Sequence, residues 1–127
     1  MTPSILLLLV EDEHLIRMNL EEELAEAGFE LVVTASGEEA LAELDADAAR
    51  FRAVLTDIKL GGSSDGWEVA RRARELKPEI PVIYMSGDST HEWPVHGVPN
   101  NVMVPKPFVT AQILTAVSTL LNQADMS

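Results

Sequence analysis

The sequence predicts an α/β fold, a doubly wound five-stranded parallel sheet with helices on both faces. Three observations predict it. Short apolar runs alternate with stretches of helical periodicity, the pattern of consecutive βα units. The strongest runs, Ile5 to Val10, Ala53 to Thr56 and Pro81 to Met85, are almost wholly apolar, as strands buried on both faces are. Residues able to do chemistry then follow those runs: Glu11 and Asp12 after the first, Asp57 after Ala53 to Thr56, Ser86 after Pro81 to Met85, and Lys106 after a further run, Asn101 to Val104.

The first run is only six residues long, which makes it a central strand, too short to span a membrane or to form the core of a signal peptide. After Asp12, Ile16, Leu20, Leu24 and Ala27 fall on one helical face, and Gly28 supplies the stop. Phe29 to Ala35 reads as the second strand. Ser36-Gly37-Glu38-Glu39 is a capping box that opens a helix through Ala40, Leu41 and Leu44. The third strand ends at Asp57, and Gly61-Gly62-Ser63-Ser64 forms a flexible loop. Asp65 and Glu68 make a second cap-like pair before a helix from Trp67 to Leu76. Pro78 and Pro81 bracket the turn into the fourth strand. Beyond Ser86-Gly87, Pro94, Gly97 and Pro99 oppose regular helix, so a short or irregular fourth helix is expected. Val109, Ile113, Leu114, Val117 and Leu121 then define a terminal amphipathic helix. Five βα units without insertions favour the flavodoxin-like strand order 2-1-3-4-5, with right-handed crossovers.

Length and composition bound the rest. With 127 residues the chain is expected to be a single domain over 1–127, without an output module of its own. It has no cysteine, which excludes disulfides and thiolate chemistry and is compatible with a cytoplasmic setting. The net charge of −12 repels nucleic acid backbones and anionic membranes, so neither DNA nor membrane is an expected partner. A hydrophobic content of 46% opposes disorder in spite of that charge.

In the predicted topology the strand ends converge on one edge, where open α/β sheets bind their ligands. Three carboxylates, a hydroxyl and an ammonium would share one small cleft. That set suits a divalent cation beside a carboxylate that accepts a phosphoryl group. Taken singly, Asp57 is more simply a solvated strand end. With four partners on adjacent strands the chemical reading gains the greater weight. His14, His91 and His96 share no ligand-like spacing and are read as structural or surface residues.

Over nearly its whole length the chain resembles the receiver domains of two-component response regulators. The resemblance rests on Val10-Glu11-Asp12-Glu13, Leu55-Thr56-Asp57, Asp65-Gly66, Met85-Ser86-Gly87 and Pro105-Lys106-Pro107-Phe108, in order and at similar spacing. It implies that Asp57 is the phosphoacceptor, served by the phosphohistidine of a sensor histidine kinase or histidine phosphotransfer protein. It further implies Mg²⁺ held directly by Asp12 and Asp57, through water by Glu11, and by the backbone carbonyl of Lys59. Lys106 and Ser86 would contact the phosphoryl oxygens. The implied protein is no turnover enzyme. It signals through contacts with a downstream protein or serves as a phosphate sink, and its oligomeric state is left open. A pseudo-receiver that is never phosphorylated is the alternative. A phosphatase on a related fold is disfavoured, because Lys59 stands where such enzymes carry a second acid.

Several positions depart from the family pattern. Met103 occupies the place of the usual switch aromatic three residues before Lys106, while Tyr84 and Trp93 are read as packing residues. Gly61 replaces a usual proline, in a loop one residue longer than is common, and both changes are expected to make it more mobile. The segment Pro81 to Gly87 partly resembles a motif of stand-alone receivers with an altered fourth helix. A Lys59–Asp88 pair over the site is expected to tune phosphate lifetime. The resemblance also implies a cis Lys106–Pro107 bond.

Overall fold

A computed structural model describes residues 5–87, 101–106 and 109–126 of the chain. Its elements run β1 (Leu6–Val10), α1 (His14–Glu26), β2 (Glu30–Thr34), α2 (Gly37–Asp47), a 3₁₀ turn (Ala48–Arg50), β3 (Ala53–Asp57), α3 (Gly66–Leu76), β4 (Val82–Ser86), β5 (Asn101–Pro105) and the terminal helix α4 (Thr110–Met126). All five strands are parallel, in the order β2-β1-β3-β4-β5. This is the predicted order. β1 and β3 lie side by side, with Val10 in register with Thr56.

Side chains of a strand alternate between the two faces of its sheet, and β1 uses both faces fully. Leu7 and Leu9 pack with Leu20 and Leu24 of α1 and Ile113 and Val117 of α4. Leu8 and Val10 pack on the opposite face with Leu44 of α2 and Val69 and Ala73 of α3. Leucine is a good helix former, but a short run buried on both sides is better satisfied by a central strand. A third cluster joins Ile58, Trp67, Ala70, Val82 and Tyr84, with half-buried Met103 against it. Tyr84 is a packing residue, its ring centroid 4.8 Å from that of Trp67.

The caps form largely as the sequence requires. The Ser36 hydroxyl accepts from the Glu39 amide at 3.1 Å, and the Asp65 carboxylate accepts from the Glu68 amide at 2.9 Å. Glu39 reaches back to the Ala35 amide at 2.7 Å, one residue before the usual capping-box partner. Gly28 ends α1 with φ +101°, a conformation that favours glycine.

Two expected core positions are exposed. Ala27 has already left α1 and faces solvent, and Val109 precedes α4 and is 66% exposed. Ala116 and Leu120 complete the buried stripe of α4 instead. The predicted irregular fourth helix, Asp88, His91, Trp93, His96 and the Lys106–Pro107 bond lie outside the described residues. Among the described residues, no helix is long and apolar enough to cross a membrane.

Candidate phosphoacceptor and cation site

The site forms where β1, β3 and β5 end. β1 makes its last sheet bond as the Glu11 amide donates to the Thr34 carbonyl at 3.2 Å. The chain then turns toward α1. Arg17 donates to the Glu11 carbonyl at 3.0 Å, and the Glu11 carboxylate accepts from the Glu13 amide at 3.1 Å. These bonds hold Glu11 inward, where it is fully buried, while Asp12 faces outward. Asp57 closes β3 and is only 6% exposed. The backbone beyond it is fixed by bonds from the Ile58 amide to the Met85 carbonyl and from the Gly66 amide to the Ile58 carbonyl. Gly66 is required there. A Cβ at this position would collide with the Asp57 carbonyl oxygen and lie 2.8 Å from Ile58 Cα.

Lys106 reaches the same point from β5. Its amide donates to the Ser86 carbonyl at 2.7 Å, which aligns the ends of β4 and β5. Its ammonium then donates to Glu11 Oε1 at 2.8 Å and to Asp57 Oδ2 at 3.0 Å. Oxygens of Glu11, Asp12 and Asp57 lie within 4.8 Å of one another. Ser86, almost fully buried, ends β4 beside Asp57's strand. Lys59 is exposed, two residues beyond Asp57, at the start of the loop whose Gly61 amide donates to Asp12 Oδ2 at 3.3 Å. The structure therefore gathers Glu11, Asp12, Asp57 and Lys106 at one point and sets Ser86 and Lys59 at the ends of the elements beside it.

The cluster is electrostatically unsatisfied. Burial pushes the Glu11 carboxyl up to about 7, against the hydrogen bond from Lys106 and with the help of the Asp57 charge. Asp57 is also raised by burial, again opposed by Lys106. Burial alone would lower Lys106, but its bonds to Glu11 and Asp57 outweigh that and raise it. One ammonium among three carboxylates leaves negative charge in a region partly removed from water. The donors are all oxygen, and an exposed carboxylate leaves the cluster open on one side. This set fits a hard divalent cation that keeps part of its water, as Mg²⁺ does.

One contributor was not legible in the sequence. Ser36-Gly37-Glu38-Glu39 reads as a cap, which accounts for Ser36 and Glu39 and leaves Glu38 as surface. In the structure Glu38 Oε1 accepts from the Ser63 amide at 3.0 Å, the Ser63 hydroxyl at 3.0 Å and the Ser64 amide at 2.8 Å. The loop expected to be mobile is thus tied to α2. Only the two adjacent glycines hinted that something outside the loop must define it.

Comparison with known proteins bears on the family and the fold. The family model described as the response regulator receiver domain matches residues 7–118. A response regulator receiver protein of Anaeromyxobacter sp. (strain Fw109-5) is 40% identical over 87% of this chain and 43% of its own length. The sensor kinase CckA of Brucella abortus is 30% identical over 96% of this chain but 13% of its own length. The chain thus spans less than half of either relative. The crystal structure of a response regulator receiver protein from Sinorhizobium medicae superposes with a TM-score of 0.91 at 41% identity, covering 95% of this chain and 97% of that one. The receiver domain of the hybrid histidine kinase CckA gives 0.78 at 28% identity, covering 91% and 98%.

Proposed function

This chain belongs to the response regulator receiver family, and from that premise we propose that Asp57 accepts a phosphoryl group from the phosphohistidine of a sensor histidine kinase or phosphotransfer protein. The observation that supports this most is the Lys106 ammonium bonded to both Glu11 and Asp57, with Asp12 beside them. In the transfer, a carboxylate oxygen of Asp57 forms the new P–O bond while the P–N bond to the donor imidazole breaks. The imidazole leaves with the electron pair and takes up a proton. Lys106 holds one oxygen of Asp57 and places positive charge where phosphoryl oxygens arrive. Ser86 donates a hydrogen bond to another of them. Asp12, Asp57, Glu11 through water and the Lys59 carbonyl would hold Mg²⁺, which when bound offsets the charge of the attacking carboxylate and the transferred group.

Likeness to the receiver domain of a hybrid histidine kinase supports a phosphohistidine donor. On this reading residues 1–127 form one receiver unit that modifies only its own carboxylate and is not a turnover enzyme. It works in the cytoplasm and signals through a protein partner or drains phosphoryl groups from a relay. Its charge of −12 gives nucleic acid no footing.

The test is intact mass after incubation with Mg²⁺ and acetyl phosphate, and with phosphorylated histidine kinases as donors. Gain of one phosphoryl group by the native chain is expected, with loss of that gain in Asp57→Asn and in chelator. No gain from any donor would reject phosphorylation in favour of a pseudo-receiver that acts by binding alone.

A further inference from the structure

We propose that Glu38 is a positioning residue for the cation site: it latches the β3–α3 loop, and the latched loop presents the Gly61 amide that orients the Asp12 carboxylate. The inference rests on the reading of Asp12 as a Mg²⁺ ligand.

The loop from Lys59 to Asp65 is fixed at both ends, by the Ile58 amide on Met85 and by the Asp65 cap of α3. Between those ends stand two adjacent glycines, which have little conformational preference of their own. The order must come from elsewhere, and Glu38, about 25 residues earlier in the chain, supplies it through three hydrogen bonds to Ser63 and Ser64.

Two glycines are shaped to this contact. A Cβ on Gly37 would lie 2.5 Å from the Ser64 carbonyl oxygen, so α2 can approach the loop only without a side chain there. A Cβ on Gly62 would lie 2.9 Å from Glu38 Oε2, and Gly62 has φ +109°. Ser64 is buried by the approach. The Ser63 hydroxyl and the Ser64 amide hold the Glu38 carboxyl below the usual range, so it is the ionised form that makes the latch.

At the other side of the glycine pair, the Gly61 amide donates to Asp12 Oδ2 at 3.3 Å. Ligating carboxylates depend on such outer hydrogen bonds for orientation, and removing the residues that provide them typically weakens metal affinity about 10- to 100-fold. Lys59, the other loop residue assigned to the site, stands two positions before Gly61. Freeing the loop would therefore disturb two ligands at once, although Glu38 touches neither.

The test compares the native chain with Glu38→Ala, Glu38→Gln and Glu43→Ala. Glu43 lies on the same helix, is paired with Arg50, and its loss removes the same charge without touching the loop. Two quantities are measured: Mg²⁺ affinity by calorimetric titration, and hydrogen exchange of the Gly61 amide in metal-free protein. Glu38→Ala is expected to bind Mg²⁺ about tenfold more weakly and to exchange Gly61 faster. Glu38→Gln falls between, because its amide oxygen still accepts. Glu43→Ala stays within about twofold of the native chain. A Glu38→Ala protein with native Mg²⁺ affinity and native Gly61 exchange overturns the proposal. A native chain that takes up no Mg²⁺ overturns the cation reading beneath it, and the metal-free exchange measurement separates that failure from failure of the latch.

Discussion

β3 and β5 each deliver one partner of the ion pair at the centre of the site, and they hold it in different ways. β3 pairs on both sides and is buried along its whole length, and the backbone after Asp57 is closed in by Gly66. Among the described residues β5 pairs only with β4, and within β5 only Val104 is buried. The Asp57 carboxylate therefore sits on a rigid support, while the Lys106 ammonium is the end of a long side chain on a more open strand. The difference teaches where adjustment is possible. Under the proposed phosphoryl transfer, a fixed anion gives the incoming group a defined target, and the cation could shift from Asp57 toward an added phosphoryl group by rotation of its own stem.

The largest expected effect comes from removing the charge that β5 supplies. Lys106→Met keeps the stem and deletes the ammonium, leaving two buried carboxylates facing each other. Breaking a buried pair from one side is strongly destabilising, and a loss of about 4 kcal/mol is expected in urea unfolding of the metal-free protein at pH 8. An unchanged midpoint would mean that the carboxylates are neutralised in some other way. The same loss should shrink at pH 5, where Glu11 is protonated in the folded protein.

That pH sensitivity exists in the native chain as well. Folding raises Glu11 from its ordinary 4.5 to about 7, so the folded state binds more protons than the unfolded state between these values. Stability from this group is then fully present below about 4.5 and is lost as pH rises through 7, by about 3 kcal/mol at most. Asp57, raised in the same direction, adds to the trend. Metal-free protein should therefore be less stable at pH 8 than at pH 5.5, and Mg²⁺ should flatten the slope. Thermal melts across this range with and without Mg²⁺ test it. Stability that rises with pH through this window would contradict the burial of Glu11.

The rigid side is tested by adding a single methyl group. Gly66→Ala would drive a Cβ into the Asp57 carbonyl and Ile58 Cα, so either β3's end or the start of α3 must move. A loss of about 2 kcal/mol is expected from urea unfolding, together with slower phosphoryl gain at Asp57.

How far the sequence could be read follows the same division. The central strands were legible because burial on both faces leaves continuous apolar runs, as in Leu6 to Val10 and Ala53 to Thr56. Topology followed from them, and with it the meeting of Glu11, Asp12, Asp57 and Lys106. The ends of elements were less legible. Ala27 and Val109 fit the helical period but lie just outside the helices, Ala27 after the end of α1 and Val109 before the start of α4, because the apolar period does not mark where a helix begins or ends. Glu38 was not legible as part of the site. Its partners lie about 25 residues away and are two serines and their amides, which leave no pattern in the chain. The capping motif around it offered a complete local explanation, so nothing prompted a distant one.

The smallest expected effect is at Met103, and it tests the open strand in the way Gly66→Ala tests the closed one. Met103 is half-buried on β5, touches the Trp67–Tyr84 cluster, and lines a groove of about 500 Å³ with Ala111 and Thr115 of α4. Met103→Tyr adds far more volume than one methyl group. It stands on a half-buried edge strand, however, whereas the closed end of β3 leaves no such room, and its hydroxyl can reach water. A change below about 1 kcal/mol in urea unfolding is expected, with Lys106 still able to reach Glu11 and Asp57. If Met103→Tyr costs as much as Gly66→Ala, β5 is as tightly held as β3. The ammonium would then be fixed like the carboxylate, and the shift toward an added phosphoryl group that the proposed function allows would have to come from movement elsewhere in the molecule.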